Sequence, residues 1–170
     1  MKNLRFVILL IFCVSLFSCS SPDQSSQSEP DSGDVLPAED SIHLETINAR
    51  KITMAEDQDQ TLYKGIQYEV ILTTSITDRQ LSQLGVGLQF SGQLRQYWGK
   101  SGSGYSSGFS ILDETDSNKK ILVSFPLVKQ STTDHEIDQV LSSDYISDLN
   151  VQLFFKGTPY LTLHKNIHNN

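Results

Sequence analysis

The run Ile66-Gln67-Tyr68-Glu69-Val70-Ile71-Leu72 carries a large apolar residue at every second position. Successive side chains of a β-strand point to opposite faces. Ile66, Tyr68, Val70 and Leu72 therefore share one face, with Gln67 and Glu69 on the other, as in a strand packed on a core from one side. The same alternation recurs downstream. Val86, Leu88 and Phe90 alternate with Gly87, Gln89 and Ser91; Ile121, Val123, Phe125 and Leu127 form a third set; Val151, Leu153 and Phe155 form a fourth. A first strand near 43–54, a weaker one near 105–112 and a last near 159–165 bring the expected number to seven. Lys156-Gly157-Thr158-Pro159 reads as the turn of a hairpin joining the last two.

Two segments break the alternation. Thr133-Asp134-His135-Glu136 has the Ser/Thr-x-x-Glu form of a capping box, and Ile137, Val140, Leu141 and Tyr145 follow at helical spacing. Thr77-Asp78-Arg79-Gln80 repeats the signal before Leu81 and Leu84, with Gly85 expected to end the turn. Short strands, turn signals and few helices predict an all-β chain: a two-sheet antiparallel sandwich, immunoglobulin-like or transthyretin-like, of about seven strands with one or two short helical inserts. It would span residues 42–170 as a single domain, with a partly open barrel as the alternative.

The chain begins Met1-Lys2-Asn3-Leu4-Arg5, and an apolar run from Phe6 to Phe17 follows, interrupted only by Ser15. Cations before a short apolar stretch are the order of a secretory signal peptide. Twelve residues at about 1.5 Å each reach roughly 18 Å, well short of a hydrocarbon core of about 30 Å. The stretch ends Leu16-Phe17-Ser18-Cys19-Ser20-Ser21, which resembles a bacterial lipobox, with Leu three residues before the cysteine and a small residue just before it. That resemblance implies diacylglycerol on the Cys19 thiol, cleavage after Ser18 and acylation of the new amino group. It makes residues 1–18 a removed signal peptide. It implies a lipid-anchored, extracytoplasmic protein, on the outer membrane in a Gram-negative host because Ser20 rather than Asp follows the cysteine. Cys13 cannot substitute, since bulky Phe12 precedes it. An ordinary signal peptide would leave Cys19 a free thiol; the polar, acidic sequence after it favours the anchor, and two or three acyl chains hold a membrane where one holds only marginally.

Lipidation would use the last thiol, so the mature domain has neither a disulfide nor a thiolate site. Removing Lys2 and Arg5 leaves 11 basic residues against 20 acidic, a formal charge of −9 over 152 residues. Such a surface disfavours nucleic acid and anionic headgroups. Residues 20–41 hold six carboxylates, three prolines, no Lys or Arg, and only Val35 and Leu36 as large apolar residues. With Cys19 they read as a lipidated, disordered acidic tether over 19–41, with a reach of about 25 Å.

The segment Tyr97-Trp98-Gly99-Lys100-Ser101-Gly102-Ser103-Gly104-Tyr105-Ser106-Ser107-Gly108 holds the sole Trp and four of the ten glycines. It is not a phosphate loop, since that pattern needs Gly where Leu94 stands, and the expected address also removes nucleotides as ligands. Tyr97, Trp98 and Tyr105 are the candidate binding residues, on an exposed glycine-rich tip that could stack on sugars or enter a partner's pocket. The competing reading is a mobile hairpin tip whose flanking aromatics belong to the core. Asp113-Glu114-Thr115-Asp116-Ser117-Asn118 and Glu56-Asp57-Gln58-Asp59 read as polar turns rather than cation sites, lacking the Gly and terminal Glu of a calcium loop. Among His43, His135, His164 and His168 only the last pair has metal-ligand spacing, and it lies where a strand gives way to a polar tail. No metal, no cofactor beyond the lipid on Cys19 and no catalytic constellation is expected. The functional expectation is a non-enzymatic envelope lipoprotein, a protein-binding or scaffold module such as an accessory subunit of an envelope or secretion assembly. The alternative is a surface glycan- or peptide-binding module using the Tyr97-Trp98 loop.

Overall fold

The computed structural model describes residues 35–55, 62–130, 132–142 and 147–164. Two four-stranded antiparallel sheets pack face to face. Sheet A runs β1 (Ile42–Ala55), β2 (Leu62–Thr74), β6 (Lys119–Val128), β5 (Ser110–Glu114); sheet B runs β4 (Gly102–Ser106), β3 (Leu84–Phe90), β7 (Leu149–Phe155), β8 (Thr158–His164). The all-β sandwich expected from the alternation is what the chain forms.

Register follows from the buried faces. Val70 pairs with Ile47 on one side and Val123 on the other, while Val86 pairs with Leu153. Each of these residues is fully or almost fully buried. A one-residue slip would turn the whole apolar set of a strand to water, so pairing is strongly specified. Between β7 and β8 the two-residue turn Lys156-Gly157 has φ of 52° and 78°, the left-handed pair that matches strand twist in a tight hairpin.

Three short helices close the sandwich: α1 (Asp78–Gln83), α2 (Gly92–Trp98) and α3 (Asp134–Val140). Both anticipated capping boxes form. Thr77 Oγ1 accepts the Gln80 amide at 3.2 Å, and Thr133 Oγ1 accepts the Glu136 amide at 3.2 Å. The returning Glu136 carboxylate accepts the Thr133 amide at 2.7 Å, and these bonds hold its pKa below the usual value. Leu81, Leu94, Trp98, Ile137 and Val140 are the buried residues these helices contribute.

Four expectations need correction. The weak strand near 105–112 is two strands, β4 and β5, which belong to different sheets, so the described residues hold eight. Gly85 does not stop α1; the helix passes directly into β3 at Leu84 and Gly85 lies within that strand. The helix α2 was not anticipated. Finally, the folded unit starts before residue 42. Pro37 is buried, Val35 O accepts Gln80 Nε2 at 3.1 Å, and Ser41 O accepts Thr74 Oγ1 at 2.9 Å. These bonds tie 35–41 to the sandwich despite their acidic composition. Cys19, the signal segment, the rest of the tether, Glu56–Asp59 and His168 fall outside the described residues.

Candidate functional site

Trp98 ends α2 with its side chain 9 % exposed, packed inside the sandwich. Its ring stacks on Phe90 at 6.3 Å and meets Tyr68 edge-on at 6.5 Å, and its indole N–H donates to Tyr68 Oη at 3.2 Å. Burial pushes the Tyr68 hydroxyl up to about 12, against the opposing pull of that hydrogen bond. The exposed tip expected at Trp98 is therefore not there. The physical reason is a helix: Leu94 and Trp98 stand four residues apart on one face, and both turn inward.

Tyr97 is half-buried beside it, edge-on to Trp98 at 4.9 Å. Its hydroxyl lies 2.8 Å from Thr132 Oγ1, and Lys129 Nζ sits 4.4 Å from its ring centre while donating to its carbonyl at 2.8 Å. Tyr97 thus joins α2 to the approach of α3, and its hydroxyl pKa is raised by burial first and by the Glu136 charge second. Its ring is committed to internal contacts.

Tyr105 is different. It lies in β4 opposite Gly87, pointing away from the core, and is 57 % exposed. Its ring stacks on Phe154 of β7 at 5.0 Å, reaching across β3. Glycine lies beneath: a Cβ on Gly85 would stand 2.7 Å from Tyr105 Cδ2, and one on Gly87 would stand 2.6 Å from the Gly104 carbonyl of β4 and 3.1 Å from Phe154 Cε2. Of the three candidates, Tyr97 and Trp98 are neighbours at one end of α2, and Tyr105 belongs to a separate surface, the outer face of sheet B.

A groove of about 350 Å³ lies on that face next to Phe154, floored by Gly87 and Gln152 and rimmed by Gln89, Ser101, Gly102 and Gly104. A bulge in β4 shapes the rim. Gly104 has φ of 76°, and Ser103 Oγ takes the Leu88 amide at 3.0 Å in place of a backbone carbonyl. Across the floor runs a chain of side-chain bonds. Gln152 Oε1 accepts Gln89 Nε2 at 2.7 Å and Thr162 Oγ1 at 2.9 Å, while its own Nε2 donates to Leu161 O at 2.8 Å and Leu153 O at 3.1 Å. Gln152 thus uses its full bonding capacity inside the protein. It holds Gln89, which is exposed, in a fixed place. Farther along, His164 Nδ1 lies 2.8 Å from Asn150 Oδ1.

The outward positions of sheet B include Gly85, Gly87 and Gln89 on β3, Gly102 and Tyr105 on β4, Asn150, Gln152 and Phe154 on β7, and Pro159, Thr162 and His164 on β8. None is Asp, Glu, Lys or Arg. Sheet A is the opposite: Arg50 pairs with Glu69 at 3.3 Å and Lys120 with Glu45 at 2.5 Å across its outer face. One face of an acidic domain is uncharged.

Sequence reasoning missed Gln89, Gln152 and Phe154, although their outward placement could be inferred from alternation with Leu88, Val151 and Phe155. It also passed over a Gly-x-Ser-x-Gly spacing at Gly104-Tyr105-Ser106-Ser107-Gly108. A nucleophile elbow sets its serine on a sharp strand-to-helix turn. Ser106 instead ends an edge strand that leads to β5, and its Oγ accepts the Gly108 amide at 3.1 Å. Asp113 and Glu114 lie on β5, where Glu114 pairs with Lys119 at 2.7 Å, and Thr115 and Asn118 close the polar turn. Among the described residues no group of three or more His, Cys, Asp or Glu is placed to hold a metal ion. Comparisons with protein-family models, curated proteins and solved structures find no match.

Proposed function

We propose that the chain is a lipid-anchored envelope lipoprotein whose sandwich is a non-enzymatic binding module, and that it engages an envelope partner through the outer face of sheet B. The observation that carries the reading is the uncharged groove beside the Tyr105–Phe154 pair, on a mature chain whose formal charge is −9. A concave site with a few placed polar groups beside aromatic surface is the usual composition of a ligand site. The lipobox resemblance at Cys19 and the acidic tether support the address: lipid holds the chain, and the tether lets the domain search near the bilayer.

The test is photo-crosslinking in cells. A benzophenone amino acid in place of Gln89 or Tyr105 should give an adduct, whereas the same group in place of Asn48, on the outer face of sheet A, should give none. Equal adducts from both faces, or none from either, refute the assignment. The address has its own test: Cys19→Ala should lose the anchor and leave a soluble or unprocessed chain. Partitioning of that variant into detergent at the mature mass would overturn the anchor.

A further inference from the structure

The groove on the outer face of sheet B combines three features that select among ligand chemistries. It has no charged side chain, its wall is Phe154 with Tyr105 stacked beside it, and two amide side chains, Gln89 and Gln152, line it together with Ser101. From these we infer that the ligand is a neutral oligosaccharide, a reading that rests on the assignment of this face as the binding surface.

The argument is one of matching. A sugar ring offers a flat patch of C–H bonds on one side and hydroxyls around its rim, and each hydroxyl both donates and accepts. Tyr105, 57 % exposed and stacked on Phe154, supplies the flat apolar surface for the C–H patch. Gln89 carries a carbonyl and an amide on one side chain, so it can answer a hydroxyl in either sense. Among the described residues its Nε2 donates to Gln152, and its oxygen has no partner there and faces a ligand. Gln152 fixes Gln89 through its own four bonds, which lowers the ordering cost of binding. Absence of charge matters equally. A charged ligand entering this groove would lose hydration with no opposite charge to meet it, a large penalty, whereas a neutral sugar loses only hydrogen bonds that amides can replace. A peptide ligand is disfavoured by placement: an added strand bonds along an open sheet edge, and this groove lies on the face. The volume, about 350 Å³, falls within the range of small-ligand sites.

The lipidated mature chain, isotopically labelled in detergent micelles, is titrated separately with cellotetraose, maltotetraose, chitotetraose and, as the charged control, tetragalacturonate. At least one neutral tetrasaccharide should shift the side-chain amide signals of Gln89 and Gln152 together with the backbone signals of Gly87 and Gly104. Gln89→Ala and Tyr105→Ala should each weaken that binding about tenfold or more, and Arg50→Ala on the other sheet should not. The proposal is overturned if no neutral member shifts these signals at about 10 mM, a limit well beyond any useful affinity, if the shifts fall elsewhere, or if tetragalacturonate binds more tightly. The cell crosslinking separates this failure from failure of the face itself. A sharp protein adduct at Gln89 or Tyr105 with a silent titration leaves the face standing and removes the sugar; a diffuse, periodate-sensitive adduct supports both; no adduct together with a silent titration removes both.

Discussion

Truncating Trp98 to Ala should cost the domain about 4 kcal/mol. The indole is 9 % exposed and touches Phe90, Tyr68 and Tyr97, and loss of a buried Trp costs about 3–5 kcal/mol. Tyr68 Oη would also lose its indole partner, at about 1–3 kcal/mol for a buried hydroxyl left unsatisfied. The two losses share one cavity, so they do not simply add. Domains are stable by only about 5–15 kcal/mol, so this substitution removes about a quarter or more of the total. In urea, with a slope near 2 kcal/mol/M for a domain of this size, the midpoint should fall by about 2 M. Trp98→Phe keeps one aromatic ring but removes three ring atoms together with the N–H, so a smaller loss of about 2–3 kcal/mol is expected. Repeating it in a Tyr68→Phe background isolates the hydrogen bond. The chain has a single Trp, so native emission reports this site alone and should be blue-shifted, moving to the red on unfolding. A loss under about 1 kcal/mol with native emission matching the unfolded chain would show that Trp98 is exposed and that α2 does not pack as described.

Tyr160→Phe should be neutral or stabilising by up to about 1 kcal/mol, because the Tyr160 hydroxyl is buried without a hydrogen-bond partner among the described residues; a loss above that on thermal or urea unfolding would reveal a partner. Stability should also fall in alkali. Burial holds the hydroxyls of Tyr68 and Tyr160 protonated to about 12, above their ordinary value of 10, so their contribution is complete below pH 10 and is lost as pH rises to about 12. Urea midpoints measured across that window should decline, and less steeply in Tyr68→Phe than expected from its neutral-pH loss; an unchanged slope would refute the assignment. Gly65→Ala should cost about 1–3 kcal/mol, since the added Cβ would fall onto the Leu127 carbonyl of β6, a backbone atom that cannot step aside. Unaltered melting of this variant would mean the β2–β6 register differs from Gly65 opposite Val128.

The strands were legible because burial on one face writes a period of two into the sequence, and both capped helices were legible because Thr77–Gln80 and Thr133–Glu136 carry their caps locally. The helix α2 was not, and its cap shows why. Asp148, from the approach to β7, accepts the Gln93 amide on Oδ2 at 2.7 Å, and its carbonyl accepts the Ser91 amide at 2.9 Å. The cap is brought by tertiary structure from 55 residues away, so no local pattern announces it. The signals that did exist were Leu94 and Trp98 at helical spacing and Gly99, which ends the helix at φ of 65°. The glycine-rich run after it suggested a loose tip. Gly102 lies so close to β3 that a Cβ would stand 2.6 Å from Leu88 O, and Gly104 takes the bulge. Composition reported their small size but not whether that served mobility or contact. Tyr105 could be singled out from sequence; its partner Phe154, across two strand pairings, could not.

The outer face of sheet B has a composition that stability alone would not produce. A solvated face is most simply built as sheet A builds its own, with Arg50, Glu69, Lys120 and Glu45 in mutual pairs. Here β3 instead places Gly85 and Gly87 at neighbouring outward positions, and each glycine within a strand is less favourable than Ala by about 0.5–1 kcal/mol. What those glycines permit is the approach of Tyr105 to Phe154, which leaves much of an aromatic ring in water, and at Gly87 the close approach of the Gly104 carbonyl of β4. A chain that forgoes stability at consecutive positions to hold an exposed aromatic pair beside fixed amides is departing from the local rules of its fold, and such departures concentrate at functional sites. The opposite sheet, where Arg50 meets Glu69 and Lys120 meets Glu45, supplies the charged contrast within the same molecule.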